Sequence, residues 1–331
     1  MKELILITAA TGTTGYATTV ELLKEGYPVR IFVRSRNQKA IALEQLGAEI
    51  AIGQYGDPKA LKTALTGVKR VYYNYPFIPG MVENVGLFIK AALAANIEAV
   101  VFMGQWLAEF EDQKSLHTNS VKIAYRLFEE SGLPVVYYNP GFFAEDVTLL
   151  TENIVQLGMM PSPFGDGKCP WISAGDQGRV LAALLKDPAP FYGQKVHPTG
   201  PKSIDAKEMT EIYSRVTGRK VKLMPITDKL FMKALTAAGM DAFMTIQISY
   251  YMEEFRKDRF AVGGPTDIVK RLTGREPEDF ETIARRFVQH SPYNTRGLSG
   301  MLHALKSFMK LIFSRAPSYN RHPAFYSAVP L

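Results

Sequence analysis

Short apolar runs alternate with amphipathic stretches through the first half of the chain, each about as long as one secondary-structure element. Leu4 to Thr8 is apolar and leads into the turn Ala9-Ala10-Thr11-Gly12-Thr13-Thr14-Gly15. Tyr16 to Lys24 then has helical spacing and is closed by Gly26, a residue suited to the position just past a helix. Val29–Val33 predicts a second strand, Gln38–Leu46 a second helix ending at Gly47, and Glu49–Gly53 a third strand. Pro58–Leu65 predicts a helix with Asp57 as N-cap, Pro58 in its first turn and Gly67 after it. Strands follow at Arg70–Tyr75, Ala99–Met103 and Pro134–Asn139, and helices at Val82–Ala95 and Ser120–Ser131.

These strands carry apolar residues on both faces, so each needs cover on both sides. The order predicts an α/β fold: a Rossmann-type doubly wound parallel sheet with helices on each face, and six strands suffice for it. Beyond about residue 145 the rhythm loosens. Pro161-Ser162-Pro163 and Gly165-Asp166-Gly167 are turn signals. Asp176–Lys186 and Ala206–Thr217 predict helices; Gln194–Pro198 and Lys220–Pro225 predict strands. The expected organisation is a dinucleotide-binding domain over residues 1–150, rejoined by about 165–200. A smaller, mostly helical cap over 151–290 and an amphipathic basic tail over 291–331 complete it.

A strand running through a Gly/Thr-rich turn into a helix presents unpaired N–H groups and a partial positive charge, which suit a pyrophosphate. Gly12 and Gly15 let backbone approach phosphate, and Thr11, Thr13 and Thr14 add hydroxyls. An ordinary strand-to-helix turn has the same outline, so the N-terminal location and the flanking elements carry the reading. About twenty residues past such a turn, NAD-selective sites place an acid for the ribose 2′-hydroxyl. Here the stretch is Val33-Arg34-Ser35-Arg36-Asn37-Gln38-Lys39, with no acid. An arginine there can grip the extra phosphate of NADP in a two-pronged fashion, and Arg34, at the strand end, is the candidate, with Lys39 beside it. NADP(H) is therefore the expected cofactor.

Several segments together resemble the NmrA-like group of atypical short-chain dehydrogenases. They are the turn Ala9–Gly15, Val29-Arg30-Ile31-Phe32-Val33-Arg34, Leu46-Gly47-Ala48-Glu49 and Gly53-Gln54-Tyr55-Gly56-Asp57-Pro58. Gly67-Val68-Lys69-Arg70-Val71-Tyr72, Glu130-Ser131-Gly132-Leu133-Pro134 and Asn139-Pro140-Gly141-Phe142-Phe143 continue the match. The resemblance implies an NADP(H)-binding fold with Arg34 near the 2′-phosphate and Gln54-Tyr55 near adenine. It also implies that Tyr75-Pro76 and the loop Gly141-Phe142-Phe143 flank the nicotinamide. The family contains reductases of quinones, dyes and phenylpropanoids, and members that sense the NADP(H) ratio and regulate partners.

The sequence departs from the pattern at informative places. Ala9 replaces the first glycine of the turn, and Gln54 stands where an aspartate is common. In typical short-chain dehydrogenases a Tyr-x-x-x-Lys pair and a serine handle the proton; here Thr118 precedes Lys122, and Met103-Gly104-Gln105 ends the fifth strand. Lys122 keeps the family position and can orient the cofactor or stabilise an alkoxide, although a solvated helix lysine looks the same. His117, just before that helix, can donate a proton near neutral pH, although a lone loop histidine is more often structural. Tyr73, Tyr75 and Tyr125 offer hydroxyls without motif support. The expectation is an NADPH-dependent oxidoreductase that reduces a small apolar conjugated or carbonyl acceptor of quinone, enone or aldehyde type. The rival is a non-catalytic NADP(H)-sensing protein that binds a protein partner.

Composition narrows this little further. With 331 residues, 47% hydrophobic and 21% charged, the chain can build a sizeable core. A single cysteine, Cys169, excludes an internal disulfide framework; no metal-ligand spacing and no Gly-x-Ser-x-Gly turn occurs. No apolar stretch is long enough to span a bilayer and no signal-peptide pattern opens the chain, so a cytoplasmic protein is expected. The stretch after Glu281 can account for the net charge of +7: Arg285, Arg286, Arg296, Lys306, Lys310, Arg315 and Arg321 follow with no acid among them. That distribution argues against nucleic acid as a partner. Leu298, Met301, Leu302, Leu305, Phe308, Met309 and Ile312 form a helical stripe. Over residues 297–314 this allows packing on the cap, an oligomer or partner contact, or a basic helix at an anionic membrane surface. Arg315–Leu331 reads as an extended arm.

Overall fold

The computed structural model describes residues 2–148, 151–292 and 294–317. Along the chain run β1 (Leu4–Thr8), α1 (Thr13–Lys24), β2 (Val29–Val33), α2 (Gln38–Gln45), β3 (Glu49–Ile52), α3 (Pro58–Leu65), β4 (Val68–Tyr73) and α4 (Met81–Ala94). Next come β5 (Ala99–Met103), α5 (Leu116–Ser131), β6 (Val135–Tyr138), α6 (Ala144–Thr148), α7 (Thr151–Leu157), β7 (Met159–Ser162), α8 (Ala174–Lys186) and β8 (Lys195–Val196). The last are α9 (Ala206–Thr217), β9 (Lys222–Pro225), α10 (Asp228–Ala237), α11 (Ala242–Arg256), α12 (Ile268–Thr273), α13 (Phe280–His290) and α14 (Leu298–Phe313).

The chain divides into two compact units, one built from residues 1–141, 172–199 and 266–277, the other from 142–171, 200–265 and 278 onward. In the first unit the sheet order is β3-β2-β1-β4-β5-β6-β8, every pairing parallel. Alternate residues of its central strands enter two different cores. Leu6, Phe32, Val71, Tyr73, Val100, Phe102, Val135 and Tyr137 pack with Leu61, Val85, Phe88, Val121 and Phe128 of α3, α4 and α5. Their neighbours Ile5, Ile7, Ile31, Val101 and Val136, also buried, point to the face covered by α1 and α8. A sheet covered on both sides explains the nearly unbroken apolar runs of the sequence.

The second unit holds the ribbon β7-β9, also parallel, and an aromatic core in which Phe142, Phe164, Trp171, Phe255 and Phe260 meet edge-on or tilted. Cys169 is fully buried there and bridges Ile204, and burial pushes its thiol well above the usual range.

Several expectations are corrected. Helix α5 begins at Leu116, not Ser120, because the Ser115 hydroxyl accepts from the Thr118 N–H at 3.2 Å; His117 is therefore helical. Helix α1 starts at Thr13, and β4 ends at Tyr73 rather than Tyr75. Pro161-Ser162 is strand rather than turn, tolerated because β7 belongs to a two-stranded ribbon with free edges. The sheet has a seventh strand, β8, from the predicted Gln194–Pro198 segment. Residues 266–277, expected in the cap, belong to the first unit: Thr266 N–H donates to Thr199 Oγ1 at 2.8 Å and its hydroxyl to the His197 carbonyl at 2.6 Å. The tail helix α14 packs on α7 and α10. Of the predicted arm Arg315–Leu331, residues 318–331 lie outside the described residues, as do the side chains of Phe308, Met309 and Ile312.

Candidate dinucleotide site

The turn after β1 lies where the strand order reverses, between β1 and β4, and open α/β sheets leave a crevice there beyond the strand ends. Ala9 has φ of +47°, the left-handed region that glycine enters freely and alanine at a cost of about 1 kcal/mol. The Gly12 N–H donates to the Ala9 carbonyl at 2.9 Å and closes the turn. Gly15 has no room for a side chain: a Cβ would stand 2.5 Å from the Ala9 oxygen and 2.8 Å from Ala10 Cα. That close approach seats the first turn of α1 on the loop. Gly12, the N-cap, brings no side-chain acceptor, and the first turn holds no acid. The opening N–H groups of α1 therefore lack the side-chain cap that Asn37 gives α2. Gly12 and Thr13 are exposed and Thr11 half-buried, so an anion can reach them.

Thr14 departs from its expected role as a hydroxyl donor. Its hydroxyl is turned inward, 2.8 Å from Tyr72 Oη, and accepts from Asn74 Nδ2 at 3.3 Å. Thr8 Oγ1 adds bonds to Asn74, accepting its N–H at 2.8 Å, so the strand ends beneath the turn are stitched together. Beside the turn, Lys39 Nζ donates to the Thr11 carbonyl at 3.4 Å. Arg36 is engaged by Glu44, whereas Arg34 stands exposed with no hydrogen bond or ion pair among the described residues. The cation at the strand end is thus left available.

Tyr55 is buried, donates to the Asn74 carbonyl at 2.6 Å, and meets Phe32, Tyr73 and Tyr75 edge-on. Burial raises its phenol pKa; hydrogen bonds from Thr8 and Ala9 and the Arg34 charge oppose this weakly. It is a pillar under the site, while Gln54 beside it is exposed. Tyr75 is likewise fixed: its hydroxyl donates to the Pro79 carbonyl at 2.8 Å and accepts from Asn84 Nδ2 at 3.0 Å. Pro76, next to it, is half-buried.

The expected proton-handling residues all lie on α5, and Lys122 and His117 are each engaged locally. Lys122 Nζ donates to the carbonyls of Phe110 at 2.5 Å and Glu111 at 3.2 Å, pinning that loop to α5. His117 is buried, stacked on Phe77 at 3.7 Å, and burial pushes its imidazole down to about 3. Burial thus favours the neutral imidazole, which weighs against the expected role of proton donor. Thr118, in the family tyrosine's place, has a buried hydroxyl without a partner among the described residues. Gly141 N–H donates to the Pro198 carbonyl at 2.9 Å, the Phe142 ring joins the aromatic core of the second unit, and Phe143 is half-buried.

A polar cluster at the ends of β5, β6 and β8 was missed by sequence reasoning. Tyr125 Oη donates to Asn139 Oδ1 at 2.7 Å and accepts from the Gln105 N–H at 3.1 Å. Asn139 Nδ2 donates to Glu109 Oε1 at 3.0 Å, Lys195 Nζ to Glu109 Oε2 at 3.2 Å, and His197 lies 3.7 Å from that carboxylate. Glu109 and Lys195 are 86 residues apart, and no local signal links them.

A parallel sheet with a glycine-bearing phosphate turn at its switch point defines a dinucleotide-binding α/β domain of the Rossmann type. The family model for the NmrA-like family matches residues 1–281, and the chain belongs to that family. A similar relative is the NAD(P)H azoreductase of Xenophilus azovorans, 28% identical over 297 residues, covering 85% of this chain and 97% of the relative. In fold the chain is similar to the NADPH-dependent quinone oxidoreductase of Escherichia coli solved with NADPH. The TM-score is 0.75 at 20% identity, covering 85% of this chain and 99% of that one. It is also similar to NmrA, a negative transcriptional regulator, solved with NADP, at TM-score 0.75 and 19% identity, covering 91% and 99%.

Proposed function

We propose that the chain is an NADPH-dependent oxidoreductase that reduces a small apolar conjugated or carbonyl acceptor of quinone, enone or aldehyde type. The observation that carries the cofactor choice is Arg34, exposed at the end of β2 without an ion pair among the described residues, beside a turn whose helix opening lacks a side-chain cap. The residues fit the group: Gly15 lets the first turn of α1 close onto the loop without a side chain, and Gly12 and Thr13 at the opening of that helix are exposed. The turn would hold the pyrophosphate, Arg34 the 2′-phosphate through its guanidinium fork, and Lys39 would add positive charge. When bound, the reduced nicotinamide supplies the hydride. Azoreductase and quinone oxidoreductase relatives support a reductive reading.

This chain's own residues bear on the proton. With His117 neutral and buried and Thr118 replacing tyrosine, neither of these two positions offers an acid for an alkoxide. Acceptors whose reduced form takes its proton from water, quinones above all, fit that lack. The same lack favours the rival reading, an NADP(H) sensor that binds a protein partner, as the regulator among the structural neighbours illustrates.

Fluorescence titration with NADPH and NADH tests the cofactor, and NADPH oxidation against quinones, enones and aldehydes tests the chemistry. NADPH is expected to bind more tightly, and Arg34→Ala to lose about ten- to a hundred-fold of NADPH affinity while leaving NADH unchanged. Tight binding without turnover of any acceptor class would select the sensor. No affinity for either nucleotide would end both readings.

A further inference from the structure

Helix α14 is seated by one face. Gln156, fully buried on α7, donates Nε2 to the Thr295 carbonyl at 2.8 Å and accepts the Gly297 N–H at 3.2 Å. A Cβ at Gly300 would stand 2.5 Å from the Gln156 amide, and Ala304, one turn on, is 1% exposed. These contacts fix the rotation of the helix. At about 100° per residue, Leu298, Leu302 and Leu305 then fall on the opposite side. They are 76%, 59% and 48% exposed, an apolar stripe that the described residues leave open.

Cations frame the stripe. Arg296 precedes the helix, Lys306 lies on it and Arg315 follows it, all exposed and none in an ion pair among the described residues. Arg296 also lies close enough to Arg219 for the two charges to repel. From residue 282 onward the sequence contains no acid.

We propose that α14 docks the chain on an anionic lipid surface. The leucine stripe would enter the headgroup–acyl boundary while Arg296, Lys306 and Arg315 lie among the headgroups. Charge complementarity selects this occupant over a second copy, which would bring the same cations face to face. The cations are spread before, along and after the helix, which matches a continuous sheet of negative charge better than a few carboxylates of a protein partner. No described helix is long and apolar enough to cross a membrane, so the contact would be in the plane of the surface.

Co-sedimentation of the full-length protein with phosphatidylcholine vesicles, with and without phosphatidylglycerol, tests this. Binding is expected only when phosphatidylglycerol is present, and it should fall with added salt. It should weaken about five-fold for each of Arg296→Gln, Lys306→Gln and Arg315→Gln. Leu302→Gln with Leu305→Gln should cost about ten-fold or more. Thermal unfolding at the wild-type midpoint in each variant ties the loss to the surface rather than the fold. No binding to anionic vesicles, equal binding to both compositions, or binding that survives loss of the leucines would overturn the proposal. Leucine-dependent self-association by light scattering without lipid binding would assign the face to a second copy. Capture of an acidic protein without lipid binding would assign it to that partner. Vesicle binding seen only after removal of residues 318–331 would make that segment the native occupant.

Discussion

The left-handed backbone of Ala9 and the absent side chain of Gly15 form one device, since the Ala9 oxygen occupies the space a Gly15 Cβ would need. Gly15→Ala must push the first turn of α1 off the loop. It should cost about 1–3 kcal/mol of stability and abolish tight NADPH binding, both readable by denaturant titration with and without nucleotide. Ala9→Gly should be nearly neutral, because relief of about 1 kcal/mol of strain is offset by the greater freedom glycine has when unfolded. His117 gives a pH signature. Its imidazole is held down to about 3 when folded and returns to about 6.5 when unfolded. Between those values the unfolded chain binds the proton and the folded chain does not, so this contribution to stability is intact above 6.5 and falls away towards 3. The slope is about 1.4 kcal/mol per pH unit. His117→Asn should flatten the loss; an identical pH dependence in the two proteins would show that the buried imidazole is not responsible.

Lys122 acts at the level of elements, because its ammonium holds the carbonyls of Phe110 and Glu111 against α5. Lys122→Met should leave global stability within about 1 kcal/mol but speed hydrogen exchange in residues 110–115. Unchanged exchange there would mean the loop is held by other contacts. What was legible at this scale follows from local chemistry. Apolar runs fixed the six strands because both faces of the sheet are covered, and Asp57-Pro58 marked the start of α3 because cap and first turn are adjacent in sequence. What was illegible depends on distant partners. Thr14 reads as an exposed hydroxyl until Tyr72, 58 residues on, claims it. Lys122 reads as free until the loop folds back on it. The proline-containing strand β7 needs β9 to exist, and the cluster around Glu109 needs β6 and β8 side by side.

At the scale of the molecule, the first unit is not a contiguous stretch, and its N-terminal piece is incomplete alone. Helix α8 and strand β8 lie beyond residue 171 yet complete the sheet. Val180, Leu181, Leu184 and Leu185 of α8 are at most 1% exposed and cover the face shared with α1. Burying four such side chains contributes on the order of 6–12 kcal/mol, comparable to the roughly 5–15 kcal/mol net stability of a whole domain. Strand β8 also satisfies the edge of β6, whose Tyr137 and Asn139 N–H groups donate to Gln194 and Val196 at 3.0 and 2.8 Å. A fragment of residues 1–150 retains the phosphate turn and Arg34, so a purely local site would survive in it. The fold argues otherwise: one sheet face and one edge would be open, which also invites association through the exposed strand. The fragment should show non-cooperative thermal unfolding and no measurable NADPH affinity, whereas the full chain unfolds cooperatively and binds. Cooperative unfolding and NADPH binding by the fragment would mean that α8 and β8 are not needed to hold the turn, and that the six predicted strands stand on their own.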